Sequence, residues 1–441
     1  MKIVQAVGWY HPDSVGGTEL YVSALSHALR AAGHEVLVAA PEPGLSAPRT
    51  YVHEGCEVFR YPIPAAPSRD EAQGAVTVRG AEHFHRWLSA ARADVVHMHT
   101  FVTGLGVDEI IAARDAGSRV VVTTHASSLG YLCQRGTLMQ HGQSLCDGIV
   151  DASRCAECVL EDRGAPAAIR SMVASLPAKV SRVTGALPGA MGTALGMTDL
   201  IRRNLCRQRA MLHSVEAFVV LTERAAEIVR ANGAPPAKVV VNRVGIRDNI
   251  DDHGIVLPAR SDAVTRVGYV GRFEHVKGVL DLAAAIRRVP AHVPLRLEFR
   301  GPAQSPSDIV TKALIAQASA GDPRVSVHEG VAPGQIDHLL RSYDVICCPS
   351  RCLEGGPMVG LEAMALGVPV IAASVGGIAE IVEDGVNARL VPPGDIDRLA
   401  AALTEVATNP AATIAQWKRR LPATRRMCQV TRDYLDLYGR S

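Results

Sequence analysis

Twice along this chain, short runs of β-branched and apolar residues alternate with longer stretches of helical periodicity. No other feature constrains the fold as strongly. A strand that is apolar along its whole length must be covered on both faces, and a helix is the cover that fits between successive parallel strands. "KIVQAV" (2–7), "HEVLVAA" (34–40), "DVVHMHT" (94–100), "RVVVTTH" (119–125), "AFVVLT" (217–222) and "KVVVN" (238–242) read as a first set of strands. "RVGYVGRF" (266–273), "LRLEFRG", "RVSVHEG", "DVICCPS" and "VPVIAAS" read as a second. Residues 246–265 are polar, broken by Gly and Pro, and read as a linker. The first helix, "TELYVSALSHALRAAG", takes Thr18 as N-cap and Gly33 as its stop. The expected class is α/β, with two Rossmann-like doubly wound domains over 1–250 and 262–420 facing a central cleft. A C-terminal helix in 421–441 carries Val430, Tyr434, Leu435 and Tyr438 near one face and is expected to pack back on the first domain.

Residues 164–216 fit this rhythm poorly. They are rich in Ala, Met and Arg with interrupted helical character, and read as an inserted helical subdomain. Their basic and apolar residues are also compatible with an acceptor-side or membrane-surface element.

Composition removes several classes of function. The chain has 441 residues, 48% hydrophobic and 20% charged, with a net charge of +2. Without a basic excess there is no electrostatic footprint for nucleic acid, and 4% aromatic content speaks against a base-stacking surface. "MKIVQAVGWYHPDS" has too short an apolar run for a secretory signal, and no window of about 18 uncharged apolar residues reads as a spanning helix. The expected setting is cytoplasmic, with peripheral contact at the inner face of a membrane as an option. There the ten cysteines stay reduced.

Ligands of doubly wound sheets bind at the carboxyl ends of the strands. "LEGGPMVGLEAMALG" follows the strand "DVICCPS" and is such a strand-to-helix turn. Gly355 and Gly356 offer backbone N–H groups at a helix N-terminus, where the dipole favours an anion. A phosphate cradle has no use for carboxylates, yet Glu354 and Glu362 flank it. They suit the hydroxyls of a hexose and a ribose on either side of a diphosphate. From spacing alone, a solvated loop Glu and an ordinary helix Glu fit as well. After the second set's first strand come Gly271, Arg272, Lys277 and Gly278. Arg grips phosphate oxygens in a fork and Lys adds a point charge, although a surface turn would carry the same residues.

"GRFEHVKGV", followed later by a Glu pair with seven residues between, resembles the retaining glycosyltransferases of family 4, which have the two-Rossmann GT-B fold. "GGTELYVSALSHALRAAGHEVLV", "DVVHMHT", "VVVTTHAS", "FVVLTERAAEIV", "GVPVIAASVGGIAEIVEDGVNARLVPPGD" and "YLDLYGR" extend the resemblance over nearly all of both domains. It implies a nucleotide-diphosphate sugar as donor, UDP- or GDP-linked, and no catalytic divalent metal. It implies that Arg272 and Lys277 hold the diphosphate, that Glu354 reads the transferred sugar and that Glu362 binds the ribose. Amides around Gly356, Met358 and Val359 would touch phosphate or sugar. Gly16 and Gly17 would lie under the diphosphate, and His125 near the sugar's outer hydroxyl. Two departures, Gly355-Gly356 where Phe-Gly is common and "NRVG" where "NG" is usual, bear on donor preference. "DID" (395–397) lies where a helix should begin and reads as a cap rather than a metal motif. The acceptor is left open among polysaccharide, lipid and small metabolite. An epimerase or phosphorylase on the same fold, or a non-catalytic nucleotide-sugar-binding module, are the competing readings. The first lacks a clear acid/base carboxylate set.

A separate cluster, Cys133, Cys146, Cys155 and Cys158, lies in a loop over 130–165 that closes on C-x-x-C. Four thiolates bind zinc or an iron–sulfur cluster, with His141 as a substitute ligand, and free thiols or disulfides are the alternatives. A structural role, holding a loop that has no sheet to hold it, is expected. His97 and His99 share a strand face and read as a packed or hydrogen-bonded pair.

Overall fold

The computed structural model describes residues 1–14, 16–250, 263–303 and 305–439. Most of the expected linker, and the first residue of the expected second domain, lie outside the described residues. The chain forms two compact units. Unit 1 comprises Met1–His141, Cys146–Arg243 and Met427–Ser441, and unit 2 comprises Gly142–Leu145 and Val244–Arg426.

The strands of the unit 1 sheet are β1 (Lys2–Ala6), β2 (Glu35–Pro43), β3 (Arg49–His53), β4 (Cys56–Ile63), β5 (Val95–Met98), β6 (Arg119–Thr123), β9 (Ala217–Val220) and β10 (Val239–Val241). The short strands β7 (Met139–Gln140) and β8 (Ser144–Leu145) pair separately in the cysteine-rich loop. The order is β10-β9-β6-β5-β1-β2-β4-β3, parallel except where β3 runs antiparallel to β4. Strands β5 and β9 are buried at every position, as continuous apolar runs require when both faces are covered. The β3–β4 pair was not foreseen. "CEVFRYPI" carries Glu, Arg and Pro, which hide a strand whose Arg60 is nevertheless buried.

Unit 2 holds β11 (Thr265–Val270), β12 (Leu295–Arg300), β13 (Val325–His328), β14 (Val345–Cys348), β15 (Val370–Ala373) and β16 (Arg389–Val391). The order β13-β12-β11-β14-β15-β16, all parallel, is the doubly wound 3-2-1-4-5-6 pattern. Its core joins Val267, Leu297, Val345 and Ile371 of the sheet to Leu282, Ile286, Leu403 and Trp417 of the helices.

Two local expectations are settled by the geometry. The first helix spans Gly17–Ala31 with Gly16, not Thr18, at the N-cap, and no side chain caps it through a hydrogen bond. The Glu19 carboxylate lies there instead: a Cβ on Gly16 would stand 2.8 Å from Glu19 Oε2, and Ser14 Oγ donates to Glu19 Oε1 at 2.6 Å. Asp395 is a helix cap, accepting from the Arg398 N–H. Residues 164–216, which fit the strand rhythm poorly and read as a helical insertion, form four helices, Ala167–Ala174, Ala178–Gly185, Gly189–Leu195 and Met197–Ser214. No helix among the described residues is long and apolar enough to cross a membrane.

Candidate active site

In a 3-2-1-4-5-6 sheet the direction of winding reverses between the first and fourth strands, and the loops leaving them open a crevice. In unit 2 those are the loops after β11 and β14. They carry Gly271–Gly278 and Pro349–Gly356, so the chain order alone brings together two motifs far apart in sequence.

Backbone packing then fixes how closely they meet. Gly278 has φ +71°, and a Cβ there would stand 1.9 Å from the Pro349 carbonyl oxygen. The Arg351 N–H donates to the Val276 carbonyl at 2.8 Å. From the far side, Gly376 and Gly377 press on the Glu354–Gly355 backbone: the Gly377 N–H donates to the Glu354 carbonyl at 2.9 Å, and a Cβ on Gly377 would lie 2.1 Å from the Gly355 oxygen. Only glycine fits such approaches. With both loops held, Lys277 Nζ meets Glu354 Oε1 at 2.5 Å, and Cys352 Sγ lies 3.7 Å from the same oxygen. Burial lowers the Lys277 pKa, but the adjoining Glu354 carboxylate outweighs it and the net shift is upward, so the ammonium stays charged.

The other residues expected at this site lie on the same loops, with partners that sequence did not reveal. Arg272 pairs with Glu274 at 2.8 Å, and its carbonyl accepts from the Tyr269 hydroxyl at 2.5 Å. Gly355, Gly356, Met358 and Val359 run into the Met358–Ala365 helix, with Pro357 at its N-cap and Gly356 at φ +144°, a backbone conformation that favours glycine. Glu362, on that helix, is largely buried, and its pKa is raised by burial against the opposing pull of Arg247, whose Nε lies 3.5 Å away. Arg247 also bridges to Asp337. Arg351 forms a fork on Asp281 at 2.5 and 2.6 Å. Arg247 was missed because it stands where the chain reads as a linker.

At the equivalent reversal in unit 1, between β1 and β5, the chemistry is different. Gly16 and Gly17 open the first helix, and a Cβ on Gly17 would meet nothing within 4 Å. His125, just past β6, lies 3.1 Å through Nε2 from His99 Nδ1, and His99 Nε2 lies 2.6 Å from Gln5 Oε1. Assigning Gln5 Oε1 as acceptor places the His99 proton on Nε2. His125 Nε2–H then donates to His99, and His125 Nδ1 is left as an acceptor. His97 extends the network to the Tyr438 hydroxyl at 2.6 Å and Thr123 Oγ1 at 2.7 Å, and Tyr434 joins Thr123 to Tyr21. Burial lowers the pKa of all three imidazoles, His125 to about 4, so they are neutral at pH 7. The expected His97–His99 pair is therefore present, and the helix Met427–Gly439 supplies its tyrosines. Unit 1 also holds a cavity of about 280 Å³ lined by Phe101, Thr103, Asp108, Glu109, Tyr131 and Arg207.

The four-thiolate site is not assembled as expected. Cys133, Cys146 and Cys155 lie within electrostatic range of one another. Cys158 is turned to the β7 backbone, accepting from the His141 N–H at 3.3 Å with its sulfur 3.8 Å from the Met139 carbonyl oxygen. His141 itself bonds Glu161. Among the described residues no three His, Cys, Asp or Glu side chains stand at metal-binding spacing. Spacing on the Ala152–Asp162 helix puts Cys155 and Cys158 on one face but does not fix which way each thiol turns.

Residues 16–245 match the family described as glycosyl transferase 4-like domain, and residues 264–409 match glycosyl transferases group 1. The chain belongs to this glycosyltransferase family. D-inositol 3-phosphate glycosyltransferase of Kribbella flavida is 34% identical over 202 residues, 43% of this chain and 47% of that relative. The chain spans about half the length, or less, of the first curated relatives it matches. Sucrose-phosphate synthase from Thermosynechococcus elongatus superposes with a TM-score of 0.65 at 20% identity, covering 99% of this chain and 98% of that one. Anabaena Alr3699/HepE, solved in complex with UDP-glucose, superposes at 0.60 with 16% identity over 99% of each chain. These likenesses identify the fold as GT-B.

Proposed function

We propose that this glycosyltransferase-family chain moves a sugar from a nucleotide diphosphate to a hydroxyl-bearing acceptor with retained anomeric configuration and without a catalytic divalent metal. The observation that carries the reading is the Lys277–Glu354 pair, locked by glycine contacts where unit 2's winding reverses and flanked by Arg272 and Gly355-Gly356. As the sugar–phosphate bond breaks, negative charge grows on the diphosphate. Lys277 and Arg272 neutralise it, and the amides of Gly355, Gly356, Met358 and Val359, with those of Gly16 and Gly17, add N–H donors. Their cations are already paired in this state, so the diphosphate draws Lys277 from Glu354 and Arg272 from Glu274. The freed Glu354 carboxylate accepts from sugar hydroxyls. Glu362 does the same for ribose while Arg247 holds it. His125, neutral, offers a hydrogen-bonding nitrogen to the sugar without competing for the diphosphate.

UDP- and GDP-sugars are the donor class proposed, and HepE's capture with UDP-glucose supports the first. The acceptor is a polysaccharide, lipid or small metabolite. Carboxylates beside the aromatic rings Phe101 and Tyr131 in the unit 1 cavity suit a neutral, hydroxyl-rich group. The reading includes a structural zinc or iron–sulfur cluster on Cys133, Cys146, Cys155 and Cys158. The mutual range of the first three supports it, as do backbone N–H groups donated to the sulfurs of Cys133, Cys146 and Cys158, and capture requires Cys158 to turn from the β7 backbone.

A panel of nucleotide sugars, read first by thermal stabilisation and then by release of nucleoside diphosphate, tests the function. Stabilisation without release under any acceptor would make the chain a binding module instead.

A further inference from the structure

The outward face of the helical insertion is unlike the rest of the surface. Of the sixteen large apolar side chains exposed among the described residues, six fall within 169–191: Ile169, Met172, Val180, Val183, Leu187 and Met191. Over residues 163–198 the charged side chains are Arg163, Arg170, Lys179 and Arg182, with no Asp or Glu. Arg170 and Arg182 pair with Glu161 and Asp199, and Arg163, Lys179 and Arg182 are exposed.

This face is presented rather than frayed. The inner residues Val173, Ser181 and Gly192 are buried. Ser181 Oγ donates to the Leu195 carbonyl at 2.7 Å and accepts from Thr198 Oγ1 at 2.7 Å. Arg69 clamps the segment from another element, donating to the carbonyls of Gly185, Leu187 and Gly189 at 2.8, 2.6 and 2.7 Å. Gly185 and Gly196 approach so closely that a Cβ on Gly185 would stand 2.9 Å from the Gly196 Cα. Ile169 with Met172, and Val180 with Val183, are spaced i,i+3 and so share a helix face, and Lys179 with Arg182 flank the latter pair.

We propose that the helices Ala167–Leu195 are a docking face for an anionic lipid surface. Charge complementarity selects the occupant. Apolar side chains enter the acyl boundary while Arg and Lys sit among anionic headgroups. A second copy docking by the same face would set Arg and Lys against themselves, because a two-fold interface is self-facing. The proposal concerns where the chain sits and does not depend on the transfer chemistry.

The test is co-sedimentation of the full chain, without donor, on vesicles of phosphatidylcholine alone or mixed with phosphatidylglycerol. Retention is expected on the mixed vesicles and should weaken with salt. The double variant Val183→Asp, Met191→Asp should lower vesicle affinity at least about ten-fold, and Lys179→Glu about five-fold or more, both with the melting temperature unchanged. Ile309→Asp with Leu314→Asp, exposed positions elsewhere, should bind as the parent does. The proposal is overturned by absence of binding to mixed vesicles, by equal binding of the Val183/Met191 variant, or by sedimentation velocity showing that the same substitutions dissociate a dimer in the absence of lipid.

Discussion

The two sheets reverse their winding in the same way, yet they place opposite chemistry at the reversal. Unit 2 gathers ion pairs: Lys277 with Glu354, Arg247 with Glu362, Arg351 with Asp281. Unit 1 buries a neutral network of imidazoles, phenols, a threonine and a glutamine. The difference follows from what each would face. A diphosphate needs counter-charge that is already organised, and exchanging one anionic partner for another costs little. On the proposed function, the sugar hydroxyls near unit 1 need donors and acceptors at fixed positions, and a cation beside them would draw in the diphosphate instead. Topology supplies the place in both units, and the loop residues decide the chemistry.

The largest expected effect separates the units by pH. His97, His99 and His125 have pKa values depressed in the fold, so the unfolded chain binds more protons as pH falls below about 6.5, and unit 1 loses stability progressively down to the folded values. At 1.36 kcal/mol per pKa unit, the shift of His125 alone, from 6.5 to about 4, represents about 3 kcal/mol. Glu362 has the opposite sign. Its raised pKa favours the protonated folded form, so its contribution is present at low pH and lost as pH rises through the folded value. Urea unfolding at a series of pH values, with Trp417→Phe leaving Trp9 and Trp87 as probes of unit 1, should show that unit weakening between pH 6.5 and 4. A flat profile would mean that the imidazoles are not held neutral.

Next in size is the cation grip. Lys277→Ala or Arg272→Ala should reduce turnover at least about 10²-fold, the scale of losing one charge-stabilising donor. Folding should survive, since Arg272 pairs with the neighbouring Glu274 and the loops that carry Lys277 and Glu354 are held by the backbone contacts of Gly278 and Gly377. Near-normal turnover in both variants would move the diphosphate elsewhere.

A smaller effect divides the two glutamates. Glu362→Gln should weaken binding of free nucleoside diphosphate about ten-fold, the loss of a charge-assisted hydrogen bond. Glu354→Gln should spare that binding and impair transfer, because its partner is the sugar. Titration calorimetry with the diphosphate alone tells them apart, and equal losses would end the division of labour.

How much of this was legible depended on the range of the interaction. Continuous apolar runs are a local signal, and the strands they announced formed the two parallel sheets. The antiparallel β3–β4 edge carries Pro and charge and gave no such signal. The Glu354–Gly356 turn and Arg272–Lys277 could be read as candidates from their place after strands, but not their partners: the Lys277–Glu354 contact spans 77 residues and depends on Gly278 and Gly377 admitting neighbouring backbone. Tyr434 and Tyr438 showed only as one face of an amphipathic helix, and their bonds to Tyr21 and His97 needed the fold. For the cysteines, spacing gave neighbours but not thiol direction.

The smallest expected effect is at Gly17, and it tests whether unit 1's glycine pair serves a ligand or only the helix. Gly377 is crowded by backbone, so its role in the fold is plain. Gly17 is the reverse case: it is exposed, it opens the first helix, and an added Cβ would touch nothing. The fold therefore gives no reason for glycine there. Alanine favours helix by up to about 1 kcal/mol, so Gly17→Ala should leave the melting temperature unchanged or slightly raised. If a diphosphate approaches the amide at this helix start, the methyl group stands in its way and donor affinity should fall several-fold, as for a lost hydrogen bond of about 1 kcal/mol. Calorimetry with UDP and GDP beside thermal melts of the same samples measures both. A variant that gains stability and keeps full affinity would remove Gly17 from the donor site and leave the diphosphate to unit 2.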